Sequence, residues 1–154
     1  MDGRAAARAA IEEVVNRYAQ SIDANDLAGI GKCVTEDAVL TMKASGRASV
    51  RRGRPEILAT FRLSFASHTP TSPPRRHVIS NLVLLDWSDA EALTRCYVAV
   101  LRVKEGQVVI ATTGTYTDRL VHQGDDWLIR ERVGEFDNAE LLTSAFFKDL
   151  PPPV

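Results

Sequence analysis

Four polar residues stand where an otherwise apolar pattern has no need of them: Tyr18 and Asp23 late in a long amphipathic segment, His77 at the start of a strand-like run, and Arg132 in the last such run. A histidine changes charge near neutral pH, and a carboxylate beside it fixes its tautomer and steadies its cation. A phenol and a guanidinium can meet the negative charge that develops on an oxygen when a neighbouring carbon loses a proton. Brought together by a fold, these residue types predict an acid/base site that works without a metal or other cofactor.

Each residue also has a purely structural reading. Tyr18 falls on the apolar face of its helix, where a core tyrosine carries its hydroxyl toward the surface. Asp23 is badly placed against the dipole at a helix C-terminus and needs a cationic partner, which His77 would supply. His77 opens the alternation His77, Ile79, Asn81, Val83, Leu85, with Val78, Ser80, Leu82 and Leu84 on the other face. Both faces are largely apolar, which predicts a central strand, where a histidine is often only a hydrogen-bonded core residue. Arg130 and Arg132 alternate with Ile129, Glu131 and Val133 and are expected to share a face, turned either to surface carboxylates or to a cavity. His68, in a loop, and His122, near a turn, read as solvated. Gly114-Thr115-Tyr116-Thr117-Asp118 reads as structural, the glycine allowing close packing and the tyrosine filling the interior.

The elements that must position these groups follow from periodicity. Ile11, Val14, Val15, Tyr18, Ala19 and Ile22 trace one helical face, predicting a first helix from Ala5 to Ala24. Asn25 and Asp26 stop it and cap a short second helix through Leu27, Ile30 and Val34. A strand over Asp37 to Met42 and a weaker one over Gly46 to Arg52 precede Gly53-Arg54-Pro55, which opens a third helix from Glu56 to Ala66. Ser67 to Arg76, with Pro70, Pro73 and Pro74, is a loop. Beyond it the period changes to that of strands: His77 to Trp87, Ala90 to Lys104, Gln107 to Val121 and Trp127 to Phe136 form an antiparallel meander. A terminal helix is expected within Asn138 to Leu150, ended by Pro151 to Pro153. Three helices and long twisted strands can bury both apolar faces only if the sheet curls, which predicts an α+β cone: a curved antiparallel sheet wrapped around three N-terminal helices, with a small-molecule pocket between them.

Composition removes other classes. With 154 residues the chain fits a single domain spanning 1–154, with 138–154 its C-terminal helix and Pro-rich tail. Lys plus Arg number 19 against 20 Asp plus Glu, a net charge of -1, so no field exists to hold nucleic acid or an anionic membrane. Cys33 and Cys96 lack metal-ligand spacing and read as buried thiols in a reducing compartment. No signal-peptide pattern and no apolar run approaching about 18 residues is found, which predicts a soluble, cytoplasmic protein. There is no GxSxG, phosphate-binding glycine loop or HExxH.

The residues Tyr18, Ala19, Asp23, Asp26, Asp37-Ala38-Val39, Gly53-Arg54, His77, Asn81, Gly114 to Asp118, Trp127 and Arg132 together resemble a SnoaL-like domain of the nuclear transport factor two-like superfamily, over Ala7 to Asp137. The pattern is similar to that of scytalone dehydratase, bile-acid 7-alpha-dehydratase and gamma-hexachlorocyclohexane dehydrochlorinase, in which a histidine paired with a helix aspartate removes a proton while a group leaves. The resemblance implies that His77 is the base, Asp23 its partner, and Tyr18 and Arg132 the groups that assist the leaving or enolising oxygen. Tyr18 stands where the bile-acid enzyme has tyrosine and the dehydrochlorinase lysine. The chain departs from the pattern in Tyr97 to Val103, where Val98, Val100 and Arg102 replace the second histidine or aspartate of the dehydratases. The implied activity is that of a cofactor-independent lyase or isomerase, dehydratase-like, on a small apolar cyclic molecule. The alternatives are a polyketide cyclase or related ring-forming enzyme, and a non-catalytic small-molecule binding module. Homo-oligomerisation is also expected, because three helices leave one face of the sheet and its apolar residues uncovered, and the resemblance implies a homodimer or homotrimer.

Overall fold

In the computed structural model, which describes residues 3–148, α1 (Gly3–Asp23) buries Ala7, Ile11, Val14, Val15, Tyr18, Ala19 and Ile22 along one stripe. The helix stops because Asn25 adopts a left-handed φ of 55°, after which Asp26 caps α2 (Leu27–Cys33) by accepting from the Gly29 N–H at 2.9 Å. α3 (Arg54–Phe65) begins after Gly53, whose φ of 83° turns the chain, and carries Pro55 in its first turn, where no N–H is missed.

Six strands form one open sheet: β1 (Val34–Ala44), β2 (Arg47–Arg52), β3 (Arg75–Trp87), β4 (Glu91–Lys104), β5 (Gln107–Gln123) and β6 (Asp126–Phe136), in the order β2-β1-β6-β5-β4-β3. The expected meander from β3 to β6 is present, and β1 and β2 form a hairpin. The sheet is nevertheless mixed, because β1 lies parallel to β6. α1 packs against β3 and β6 and α3 against β1 and β2, so the core lies between the helices and one face of the sheet. Among the described residues no helix is long and apolar enough to cross a membrane.

Further expectations are corrected. β3 is an edge strand, not a central one, and its outward Val78, Val83 and Leu85 are exposed. Its alternation is also interrupted at Asn81, whose φ of 56° belongs to a bulge between Ser80 and Val83; the inward face passes from Arg75, His77 and Ile79 to Leu82 and Leu84. A second bulge separates the two arginines of β6. Arg119 pairs with Glu131 but Leu120 pairs with Ile129, so Arg130 is the extra residue; it faces solvent while Arg132 turns inward.

Another correction concerns the C-terminus. In place of an α-helix there is a 3-10 helix, Ala139–Thr143, capped by Asn138, and then turns. The Phe146 carbonyl accepts from the Ser49 hydroxyl and from Arg51 at 3.0 Å, so bonds to β2 take a backbone group that a helix would have used within itself. The tail Pro151 to Pro153 lies outside the described residues.

Candidate active site

Asp23 ends α1 and His77 stands near the start of β3, two elements that pack together. The His77 Nδ1–H donates to Asp23 Oδ1 at 2.6 Å, and the His77 backbone N–H donates to Oδ2 at 2.8 Å. Both carboxylate oxygens therefore hold one residue, ring and backbone together. A carboxylate only accepts, so the shared proton sits on Nδ1, and among the described residues Nε2 has no hydrogen-bond partner.

His77 lines a cavity of about 230 Å³ between sheet and helices. Ile22, Met42, Phe61, Val100, Tyr116 and Phe136 supply its apolar walls, and Leu141, Ala145 and Phe146 of the C-terminal segment close one side. A cavity of about 150 Å³ accepts benzene, so this one has room for a single ring with substituents.

Two further residues belong to this cavity: Arg75, and His68, which is half-buried and hydrogen-bonded where the sequence predicts a solvated side chain. Arg75, two residues before His77 on the same inward face, is buried; its guanidinium donates to the Ile22 carbonyl, to Asn25 Oδ1 at 2.7 Å and to His68 Nε2 at 2.8 Å. Its Nε lies 4.0 Å from Asp23 Oδ1, so the dyad carboxylate has a fixed cation behind it. A guanidinium cannot accept, hence His68 Nε2 is unprotonated and Nδ1–H reaches the Ser64 carbonyl at 3.2 Å. Burial, and then the neighbouring Arg75, holds the His68 imidazole below its ordinary range, and burial likewise pulls Arg75 down. Alternation from His77 back to Arg75 is a usable signal, hidden by the three prolines that mark the stretch before it as a loop. No periodicity constrains His68 in its loop.

Tyr18 and Arg132 are brought together, but not at this cavity. Arg132 is sealed in the interior, donating from Nε and Nη2 to Asp118 at 2.7 and 2.6 Å, with its guanidinium between the rings of Tyr18 at 4.4 Å and Tyr116 at 4.1 Å. Burial opposes this charge, and the Asp118 carboxylate more than offsets the penalty, leaving Arg132 raised above its ordinary range. Burial also raises the Tyr18 phenol, whose hydroxyl is enclosed with no partner among the described residues. Tyr18 and Arg132 border a void of about 10 Å³, too small for a ligand. Cys33 and Cys96 are buried thiols, each pushed up to about 11 by burial. Among the described residues no group of three or more His, Cys, Asp or Glu side chains is placed to hold a metal ion.

Residues 3–133 match the SnoaL-like domain family. No curated protein sequence matches the chain. Among solved structures, a protein of unknown function from Mycobacterium tuberculosis superposes with a TM-score of 0.77 at 24% identity, over 88% of this chain and 75% of that one. A candidate scytalone dehydratase from Novosphingobium aromaticivorans does so with a TM-score of 0.72 at 22% identity, over 88% and 87% of the two chains. ActVI-ORFA from Streptomyces coelicolor reaches 0.72 at 24% identity, over 86% and 98%. At these identities the structural likeness is one of fold. The family match covers most of the sequence, and the chain belongs to the SnoaL-like domain family.

Proposed function

We propose that this member of the SnoaL-like family is a cofactor-independent acid/base enzyme, a lyase or isomerase of dehydratase-like chemistry acting on a small, mainly apolar cyclic molecule. The observation that carries this reading is the Asp23–His77 contact of 2.6 Å at the wall of a mainly apolar cavity, whose lining also includes Arg75, Arg102, Glu140 and Lys148, with Nε2 left over. Nε2 then takes a proton from a carbon of the bound molecule, and the electron pair of that C–H bond moves toward an adjacent carbon or oxygen. Asp23 holds the ring in the tautomer that leaves Nε2 basic and stabilises the imidazolium once it forms. Arg75 lies behind the carboxylate, its Nε 4.0 Å from Asp23 Oδ1.

Kinship of fold with a candidate scytalone dehydratase supports this reading over a purely structural one. A polyketide cyclase or related ring-forming enzyme, which the family resemblance also allows, is the second enzymatic reading. The cavity of about 230 Å³ weighs against it where the substrate is a long chain that must fold before closing. The test is turnover: with a substrate found by screening cyclic ketones and hydroxylated rings for elimination or isomerisation, His77→Ala should lower kcat by about two to four orders of magnitude while shifting affinity far less. Equal turnover by the two proteins would exclude the histidine mechanism. Tight binding with no turnover by either would identify a binding module.

A further inference from the structure

We infer that Tyr116 is the hydrogen-bond donor to the substrate oxygen, the task for which Tyr18 and Arg132 are placed too deep; this inference rests on the proton-abstraction reading above. Tyr116 and His77 line the same cavity from one face of the sheet: on β4, the strand between them, His77 is opposite Val100 and Tyr116 is opposite Cys96. Its hydroxyl has no hydrogen-bond partner among the described residues and, unlike that of Tyr18, is not enclosed.

The slot around this ring is built for it. Gly134 pairs with Tyr116 across the ladder, and a Cβ there would stand 2.7 Å from Met42 Sδ and 3.2 Å from Tyr116 Cε1. Phe136 meets the ring edge-on at a centroid distance of 6.1 Å, and the Arg132 guanidinium lies 4.1 Å from its centre. The ring is therefore fixed while its hydroxyl end is left for a ligand, which is the preorganisation that a donor to a developing oxyanion requires. A cation on the ring face also draws electron density from the phenol and strengthens its O–H as a donor.

Protonation fits the same role. Burial pushes the Tyr116 phenol up to about 12, so at neutral pH it remains a donor and does not compete with His77 as a base. The substrate class narrows accordingly: a ring compound with a carbonyl or hydroxyl oxygen conjugated with, or one bond beyond, the carbon that loses its proton. His77 takes the proton, the C–H electron pair moves onto the oxygen held by Tyr116 or expels it, and the imidazolium returns that proton to the departing oxygen or to another carbon.

The test uses two probes with the full-length protein. With 5-nitrobenzisoxazole, a base removes the ring C–H, the N–O bond breaks and the charge collects on a phenoxide oxygen. Tyr116→Phe, which keeps the ring against Arg132, should lower kcat on this probe about a hundredfold with KM little changed. 4-Nitrophenol reports the donor without any chemistry: the wild type should bind its yellow phenolate form in preference to the phenol, and Tyr116→Phe should weaken that binding at least about tenfold. Unchanged kcat and unchanged 4-nitrophenol binding in Tyr116→Phe would overturn the assignment, as would a wild type that binds no phenolate. If His77→Ala leaves 5-nitrobenzisoxazole turnover untouched while Tyr116→Phe still weakens 4-nitrophenol, the base reading fails and the donor stands.

Discussion

Asp23 meets His77 and Asp118 meets Arg132 at the same 2.6 Å, yet the first pair keeps 12% of each side chain exposed and the second 0 to 1%. The Asp118–Arg132 pair is bidentate and lies with the guanidinium between two tyrosine rings, so its charge is neutralised in place. In the Asp23–His77 pair one ring nitrogen is committed to the carboxylate and the other is not. Pair geometry alone does not separate a structural ion pair from a reactive one; access to a cavity does. A buried charge without a route to a ligand can only hold the fold together, whereas the same chemistry at a cavity wall can change its protonation state during a reaction.

The sharpest way to break this contrast is Asp118→Asn, which strands the buried Arg132 charge. It should cost about 3–5 kcal/mol of stability in urea titration, the usual result of removing one partner of a buried pair. A loss no larger than that from Asp23→Asn would show that the two pairs are not different in kind. Gly114→Ala comes next, because a Cβ there would stand 2.3 Å from the Glu135 carbonyl oxygen and the β5–β6 ladder must shift. A cost of about 1–3 kcal/mol is expected by the same titration.

Tyr18→Phe keeps the ring against Arg132 and removes an enclosed hydroxyl with no partner among the described residues. It should leave stability unchanged or raise it by about 1 kcal/mol, seen as a higher urea midpoint. Asp23→Asn should cost less than about 1.5 kcal/mol, because the amide oxygen can still accept one of the two His77 N–H bonds. The same variant should lower turnover by about two to four orders of magnitude, because an amide cannot stabilise the imidazolium.

The smallest effect concerns pH. His68 has its folded pKa held below the unfolded value near 6.5, by burial and then by Arg75, so the folded state takes up a proton less readily than the unfolded chain. The contribution of neutral His68 is complete above that value and is lost as the pH falls below it. Melting at pH 7.5 and pH 5 should show a smaller decrease on acidification in His68→Gln than in the wild type.

Much of this was legible in the residues. Helical spacing over Ile11 to Ile22, the Asn25-Asp26 stop, Pro55 and the strand period beyond Arg76 are local signals, each acting within a few residues. They located three helices and every strand of the meander. Asp23 and His77 were legible for the same reason: a carboxylate at the wrong end of a helix and a histidine in an apolar strand both call for a partner, and each supplies the other's. His68 and Arg75 were not, because one lies in a loop without a period and the other at a strand start that three prolines disguised.

By itself the sequence determined the elements, their order and the need for an Asp23–His77 pairing, because helix period, turn chemistry and the cost of a lone charge act over short stretches of chain. Only the tertiary structure decided which faces those elements turn inward. One extra residue at Asn81 reverses the alternation of β3, and one at Arg130 separates Arg130 from Arg132. A bulge is defined against a partner strand, so no single run of residues carries it. The same pairing places β3 at the sheet edge, sends Arg132 to Asp118 and turns Tyr116 toward the cavity, because those outcomes depend on groups far apart in the chain competing for one interior.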